Sequence, residues 1–145
     1  MALLEKFLYT DTSDIPGAGK GLFTSERIEK GSRIIEYTGR VRKWKEVENE
    51  DDNYYILFVT KNHVIDANRR KKSLARYIND AKGLQKIKGL NNNTEFYRQG
   101  LRIFVEAIKP IDAGTELFVG YGKDYWDVIR SNRKADARNK ANGVR

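Results

Sequence analysis

The chain has 145 residues, one domain's worth, with 39% hydrophobic and 33% charged residues and a formal net charge of +8. It has no cysteine and a single histidine, His63, which excludes disulfides, thiolate zinc sites, cysteine nucleophiles and a histidine-built metal site. The cation excess favours an acidic partner without choosing among nucleic acid, an anionic cofactor and an acidic protein surface.

The N-terminal MALLEKFLYT lacks the apolar centre of a signal peptide, and no apolar run is long enough to span a bilayer. A soluble, intracellular protein with no membrane partner is expected, cytoplasmic in a bacterium and nuclear in a eukaryote. Residues 1–10 predict a first strand around Phe7, Leu8 and Tyr9. Thr10 to Gly21 reads as a loop, with Pro16 and glycines at 17, 19 and 21. Leu22-Phe23 and Ile28 flank a polar turn, and Lys30-Gly31 marks a second. Arg33 to Thr38 is rich in β-formers and predicts a strand that Gly39 ends. Trp44 to Asp52 is polar and acidic, a short helix or a mobile loop.

Asn53 to Thr60, NYYILFVT, is the most apolar run and predicts a buried strand. With Val64 to Ala67 across a Lys61-Asn62-His63 turn it reads as a hairpin. Asn68 to Lys72 is a basic loop, Ser73 to Asn79 has no clear period, and Asp80 to Glu95 is loop-like. Leu101 to Ala107 alternates as a strand, followed by a turn through Pro110. Glu116 to Val119 predicts a short buried strand that runs into Gly120-Tyr121-Gly122, a tyrosine with a glycine on each side. Asp124 is placed to N-cap a short helix through Ile129, and the basic, alanine-rich residues 130–145 are expected to fray. Short strands, frequent turns and almost no amphipathic helix indicate a mostly β domain.

Three features bear on chemistry. Gly17-Ala18-Gly19-Lys20-Gly21 exposes backbone N–H groups, but phosphate-binding loops need a strand before and a helix after, and no GK[ST] ending is present. Arg69-Arg70-Lys71-Lys72 is a run of cations that can touch phosphates or simply line a solvated loop, with no stacking platform beside it. Tyr37, Tyr54 and Tyr121 lie in or beside predicted buried strands; they either converge on a narrow slot or are core tyrosines with satisfied hydroxyls. Asp14, Asp66 and Glu106 are scattered and suggest neither a carboxylate pair nor a metal site.

Taken in order, four segments resemble a SET domain. They are SDIPGAGKGLFTSERIEKGSRIIEYTGRV (13–41), DNYYILF with VIDA (52–58 and 64–67), SLARYIND (73–80) and RIFVEAIKPIDAGTELFVGYGKDYW (102–126). The match runs over about residues 10–126, which places a SET domain in 1–126 and a basic C-terminal helix or tail in 127–145. The resemblance implies a β-clip-like fold of short curved strands with few short helices and a pseudoknot-like C-terminal threading. It implies a protein-lysine N-methyltransferase that uses S-adenosylmethionine, releases S-adenosylhomocysteine and needs no metal.

By the same resemblance, the backbone of Ala18, Gly19 and Lys20 contacts the cofactor. Tyr54, Arg76, Asn79 and Asp80 line its pocket, and Tyr125 packs near the adenine with Trp126 beside it. Tyr37 and Tyr121 flank the target lysine, Tyr121 being the catalytic tyrosine and a further cofactor contact. The implied substrate is a protein with an accessible lysine, a histone or another basic DNA-associated protein; a homodimer and nucleic-acid contact through the basic patches are left open. Four positions depart from the family pattern. Asp80 replaces a histidine, Lys72-Ser73 replaces Gly-Asn, Gly120 stands where aspartate is common, and Val119 stands where Phe or Tyr often limits methylation. The smaller valine leads to an expectation of di- or trimethylation. Two other readings stay open: a SET-like binding module that has lost activity, and a basic DNA-associated protein acting through residues 69–72 and 130–145.

Overall fold

A computed structural model describes residues 3–50, 53–83 and 87–122. Nine short strands form three antiparallel sheets of three strands each among the described residues. The first sheet holds β1 (Leu8–Thr12), β2 (Lys20–Thr24) and β9 (Glu116–Leu117), with β2 in the middle. The second runs β3 (Arg33–Glu36), β8 (Arg102–Ala107), β7 (Thr94–Gln99). The third runs β4 (Arg40–Arg42), β6 (His63–Asp66), β5 (Ile56–Thr60). A single-turn helix, α1 (Trp44–Val47), follows β4, and one 3-10 turn covers Leu74–Tyr77. The mostly β expectation with few short helices holds.

Central and edge strands both supply the core. Leu22 of β2, Ile34 of β3, Val64 of β6, Val105 of β8 and Leu117 of β9 are all fully buried. Ile34, Val64 and Val105 lie on runs of β-branched residues that suit a pleated, covered surface. Leu22, Ile34, Val105, Leu117 and Val119 belong to one continuous hydrophobic cluster, which Tyr121 also packs against. Residues 116–119 change neighbours as they go. Leu117 pairs with Leu22, Phe118 forms a parallel bridge to Asn79, and Val119 a parallel bridge to Thr94. The Phe118 carbonyl accepts the Asn93 and Thr94 N–H groups and the Thr94 hydroxyl. This stretch therefore ties the first sheet, the 78–80 segment and β7 together, and for the same reason its regular strand is only two residues long.

Several boundaries differ from the sequence expectation. The first strand begins at Leu8 and runs through Thr12, while Glu5–Phe7 forms a 3-10 turn. The run Asn53 to Thr60 is not a buried strand: β5 starts at Ile56 and lies at the edge of its sheet, with Phe58 55% exposed. Only one face of β5 is covered: Val59 is buried while Phe58, on the other face, meets solvent. Two strands were not expected. β7 is mostly exposed, so its polar residues hid it, but it pairs with β8 in full register from Thr94↔Ala107 to Gln99↔Arg102. Gly100, at φ 62°, and Leu101 form the two-residue turn between them, the glycine-first type that suits strand twist.

The other is β4, which pairs with β6 from Arg40↔Asp66 to Arg42↔Val64. Gly39 makes this pairing possible. A Cβ there would sit 2.5 Å from the Asp66 carbonyl oxygen and 2.9 Å from the Ala67 nitrogen, both backbone atoms that no side-chain rotation can move. Gly39→Ala is expected to cost about 3 kcal/mol in urea denaturation, through overpacking against a fixed strand end. A loss within the ordinary range of surface substitutions, about 0.5 kcal/mol, would show that the strand end yields.

Candidate active site

The loop joining β1 to β2 is built by its turn chemistry. Ile15-Pro16-Gly17-Ala18 closes with the Ala18 N–H donating to the Ile15 carbonyl at 3.1 Å, and Gly17 has φ 77°. Proline followed by a left-handed glycine is the signature of a type II turn. Gly19, at φ 74°, completes the loop, and the Ser13 N–H donates to its carbonyl at 2.8 Å. Ile15 is buried against Ala81 and Phe118, which anchors the loop from below. Ala18, Gly19 and Lys20 remain exposed, and no other group lies within 4 Å of where side chains at Gly17 or Gly19 would begin. The main chain here is open to a ligand.

Beneath the loop sits Glu116, fully buried on β9. Its Oε2 accepts the Ser13 hydroxyl at 2.7 Å and the Asn79 amide at 3.3 Å, and its Oε1 accepts the Asp14 N–H at 2.7 Å. No ion pair reaches it among the described residues. Gly21 faces it on β2, where any Cβ would overlap the carboxyl group. Asn79 links the parts: its amide also donates to the Lys20 carbonyl at 3.1 Å, and its own carbonyl accepts the Val119 N–H at 2.9 Å.

Tyr121 is gripped at both ends by the 78–80 segment. Its hydroxyl donates to the Ile78 carbonyl at 2.6 Å, and its backbone N–H donates to Asp80 Oδ2 at 3.0 Å. Asp80 is 7% exposed, and its other oxygen accepts the Lys82 N–H and the Asn92 amide. The aspartate thus fixes the path of residues 118–121. Phe96 of β7 contacts both tyrosines, its ring centre 5.4 Å from that of Tyr121 and 6.1 Å, edge-on, from that of Tyr37. Tyr37 is buried, and its hydroxyl donates to the Tyr55 carbonyl at 3.1 Å.

Arg76 stacks its guanidinium 3.9 Å from the Tyr55 ring and donates to the Ala67 and Asn68 carbonyls. Its Nε is buried and finds no hydrogen-bond partner among the described residues. Tyr54 is 42% exposed; the neighbouring Tyr55 is the residue that meets Tyr37 and Arg76. Tyr125 and Trp126 lie outside the described residues. The structure therefore brings Tyr37 and Tyr121 against one ring, that of Phe96, and binds Asn79 to Lys20 and Asp80 to Tyr121. Sequence reasoning did not single out Ser13, Tyr55, Ile78, Phe96 or Glu116. A signal for Glu116 was present: a carboxylate inside an apolar strand must have buried donors to meet.

No group of three or more His, Asp or Glu side chains among the described residues could hold a metal ion. No helix among them is long and apolar enough to cross a membrane.

A family profile described as the SET domain matches residues 19–122. The chain is 32% identical, over 91% of its length, to the histone-lysine N-methyltransferase EZH2 of Chaetomium thermophilum, of which it covers 9%. It is also 32% identical to ASHH3 of Arabidopsis thaliana, a histone-lysine N-methyltransferase, over 73% of this chain and 31% of that one. It spans less than a third of either relative. Among solved structures, a humanized mutant of the C. thermophilum Polycomb Repressive Complex 2 bound to the inhibitor GSK126 aligns at TM-score 0.64 and 30% identity, over 85% of this chain and 16% of that one. The methyltransferase domain of human PR domain-containing protein 2 shares the fold, at TM-score 0.62 and 24% identity over 83% of this chain and 80% of that one.

Proposed function

Because this chain belongs to the SET-domain family, we propose that it is a protein-lysine N-methyltransferase dependent on S-adenosylmethionine. The observation that carries the reading is the Tyr121 hydroxyl on the Ile78 carbonyl, held beside a ring-lined wall and tied through Asn79 to an open glycine loop. When bound, S-adenosylmethionine supplies a methyl group on a sulfonium and leaves as S-adenosylhomocysteine.

The residues present fit such a group. Ala18, Gly19 and Lys20 offer exposed main chain, and Arg76 Nε is an unmet buried donor of the kind a carboxylate satisfies. Tyr54, Asn79 and Asp80 complete the proposed pocket, and the family resemblance assigns Tyr125 to the adenine with Trp126 beside it. The chain's own work is orientation and dehydration. A phenol whose proton is committed to the Ile78 carbonyl acts toward an incoming lysine as an acceptor, aligning its amine. The Tyr37–Phe96–Tyr121 row excludes water, which favours the uncharged amine that must attack. Oxygens of Ile78 and Tyr121 present partial negative charge where positive charge is carried in the transition state.

The names of the relatives support a histone as substrate. An inactive binding module gains nothing from Asp80, since that side chain holds Tyr121 in place where the family pattern has a histidine. Labelled methyl groups should appear on core histones incubated with the purified chain. Failure to bind S-adenosylmethionine at millimolar concentration in calorimetry would instead favour the binding module. Mass spectrometry of the product at full turnover should show di- or trimethyl-lysine, because the smaller Val119 stands where the family pattern often has Phe or Tyr. Monomethyl-lysine alone would refute that role for Val119.

A further inference from the structure

A second concave surface lies between β4, Glu50 and the loop after β6, a cleft of about 640 Å³. Its two acids are already engaged. Arg42 donates to Asp66 at 2.7 Å and to Glu50 at 2.5 Å. The Arg42 guanidinium and the Asn53 amide hold the Glu50 carboxyl below its ordinary range. Burial pushes the Asp66 carboxyl up, but the Asn68 N–H, Arg42 and Asn53 together outweigh it, so it too stays ionised. Arg42 offsets one of these two negative charges, and the lining as a whole, four arginines against two acids, is net positive.

The remaining cations of the lining are unanswered. Arg40, Arg69 and Arg70 are exposed, and none has an ion pair or side-chain hydrogen bond among the described residues. They come from two places that only the fold joins. Arg40 lies opposite Asp66 in the β4–β6 pairing, and Arg69-Arg70 sits in the loop just beyond. That loop is held in shape: Asp66 Oδ1 accepts the Asn68 N–H, the Arg70 N–H donates to the Ala67 carbonyl, and Arg76 clasps the carbonyls of Ala67 and Asn68. The three guanidinium groups are therefore carried on fixed backbone, and Lys71 and Lys72 continue the positive run.

Among the described residues, no apolar or aromatic side chain lines this cleft. Protein interfaces centre on Trp, Tyr and Arg packed into desolvated pockets, and single strands on stacked bases; these arginines are exposed, and among the described residues no aromatic ring joins them. The cleft offers forks of N–H donors that match phosphate oxygens. We propose that this cleft docks the phosphate backbone of duplex DNA, without reading sequence. The proposal stands apart from the methyltransferase reading, and its test involves no methyl transfer.

Fluorescence anisotropy with a labelled duplex of mixed sequence, at low and at physiological salt, reads the interaction. Arg40→Gln/Arg69→Gln/Arg70→Gln in the full chain should weaken binding at least about tenfold at low salt and flatten the logarithmic salt slope by about 3, one phosphate contact per arginine. All three side chains are exposed, so the variant should melt with the wild type; if it melts early, Arg69→Gln/Arg70→Gln is read in the same salt series. Unchanged affinity and slope overturn the proposal. So does a wild-type chain that does not bind the duplex, or one that binds a single strand or poly-glutamate more tightly.

Discussion

Tyr121→Phe is expected to slow methyl transfer by about a hundredfold while leaving S-adenosylmethionine affinity within about threefold of wild type. The substitution keeps the ring, so its tilted contact with Phe96 survives. It removes one oxygen, and with it the bond to the Ile78 carbonyl. Two losses follow. The lysine amine loses the acceptor that aligns it, which is a cost in the transition state. The Ile78 carbonyl loses its donor, which costs folding stability about 1 kcal/mol. The backbone grip of Asp80 on residue 121 is untouched, because it uses the N–H. Single-turnover transfer, calorimetric binding and a urea melt separate the three quantities. Equal transfer rates in wild type and variant would sink the role given to Tyr121. A parallel collapse of cofactor binding would mean that the hydroxyl shapes the pocket and does not act on the amine.

Glu116→Ala is expected to lower the melting temperature by about 10 °C, corresponding to roughly 3 kcal/mol in a chain of this size. Three donors, from Ser13, Asp14 and Asn79, end at this one carboxyl, and the site is fully buried. Alanine strands all three and leaves a cavity where the glutamate stem was. The same change frees the β1–β2 loop, so cofactor affinity should fall even at temperatures where the variant is folded. Gly21→Ala should mimic it from the other side, since a Cβ at 21 displaces the carboxyl group without deleting it. A shift of only a degree or two in Glu116→Ala would mean that water replaces the carboxyl without loss, and the buried network would not be what holds the loop.

Both expectations concern stretches that sequence alone could only half interpret. Ile15-Pro16-Gly17-Ala18 carries its own turn type, and Gln99-Gly100-Leu101-Arg102 carries a hairpin that was passed over because β7 looked polar. Those are local signals, set by φ preferences that hold wherever the residues occur. The tyrosine at 121, between its glycines, was also visible locally. Its partners were not. Ile78 and Asp80 are more than forty positions away, and a backbone carbonyl leaves no mark in a sequence.

The order of the motifs was enough to determine the family and the mostly β character, because strand, turn and glycine requirements are satisfied within a few residues of each other. Burial was decided only in three dimensions. NYYILFVT is the most apolar run, yet Phe58 faces solvent at a sheet edge, while Glu116 has none of its surface exposed. Whether a side chain is covered depends on which strands lie beside and over it, and that in turn depends on contacts made across the whole chain. The meeting of Arg40 with Arg69 and Arg70, and of Glu116 with Ser13 across a separation of 103 residues, are products of that same long-range pairing.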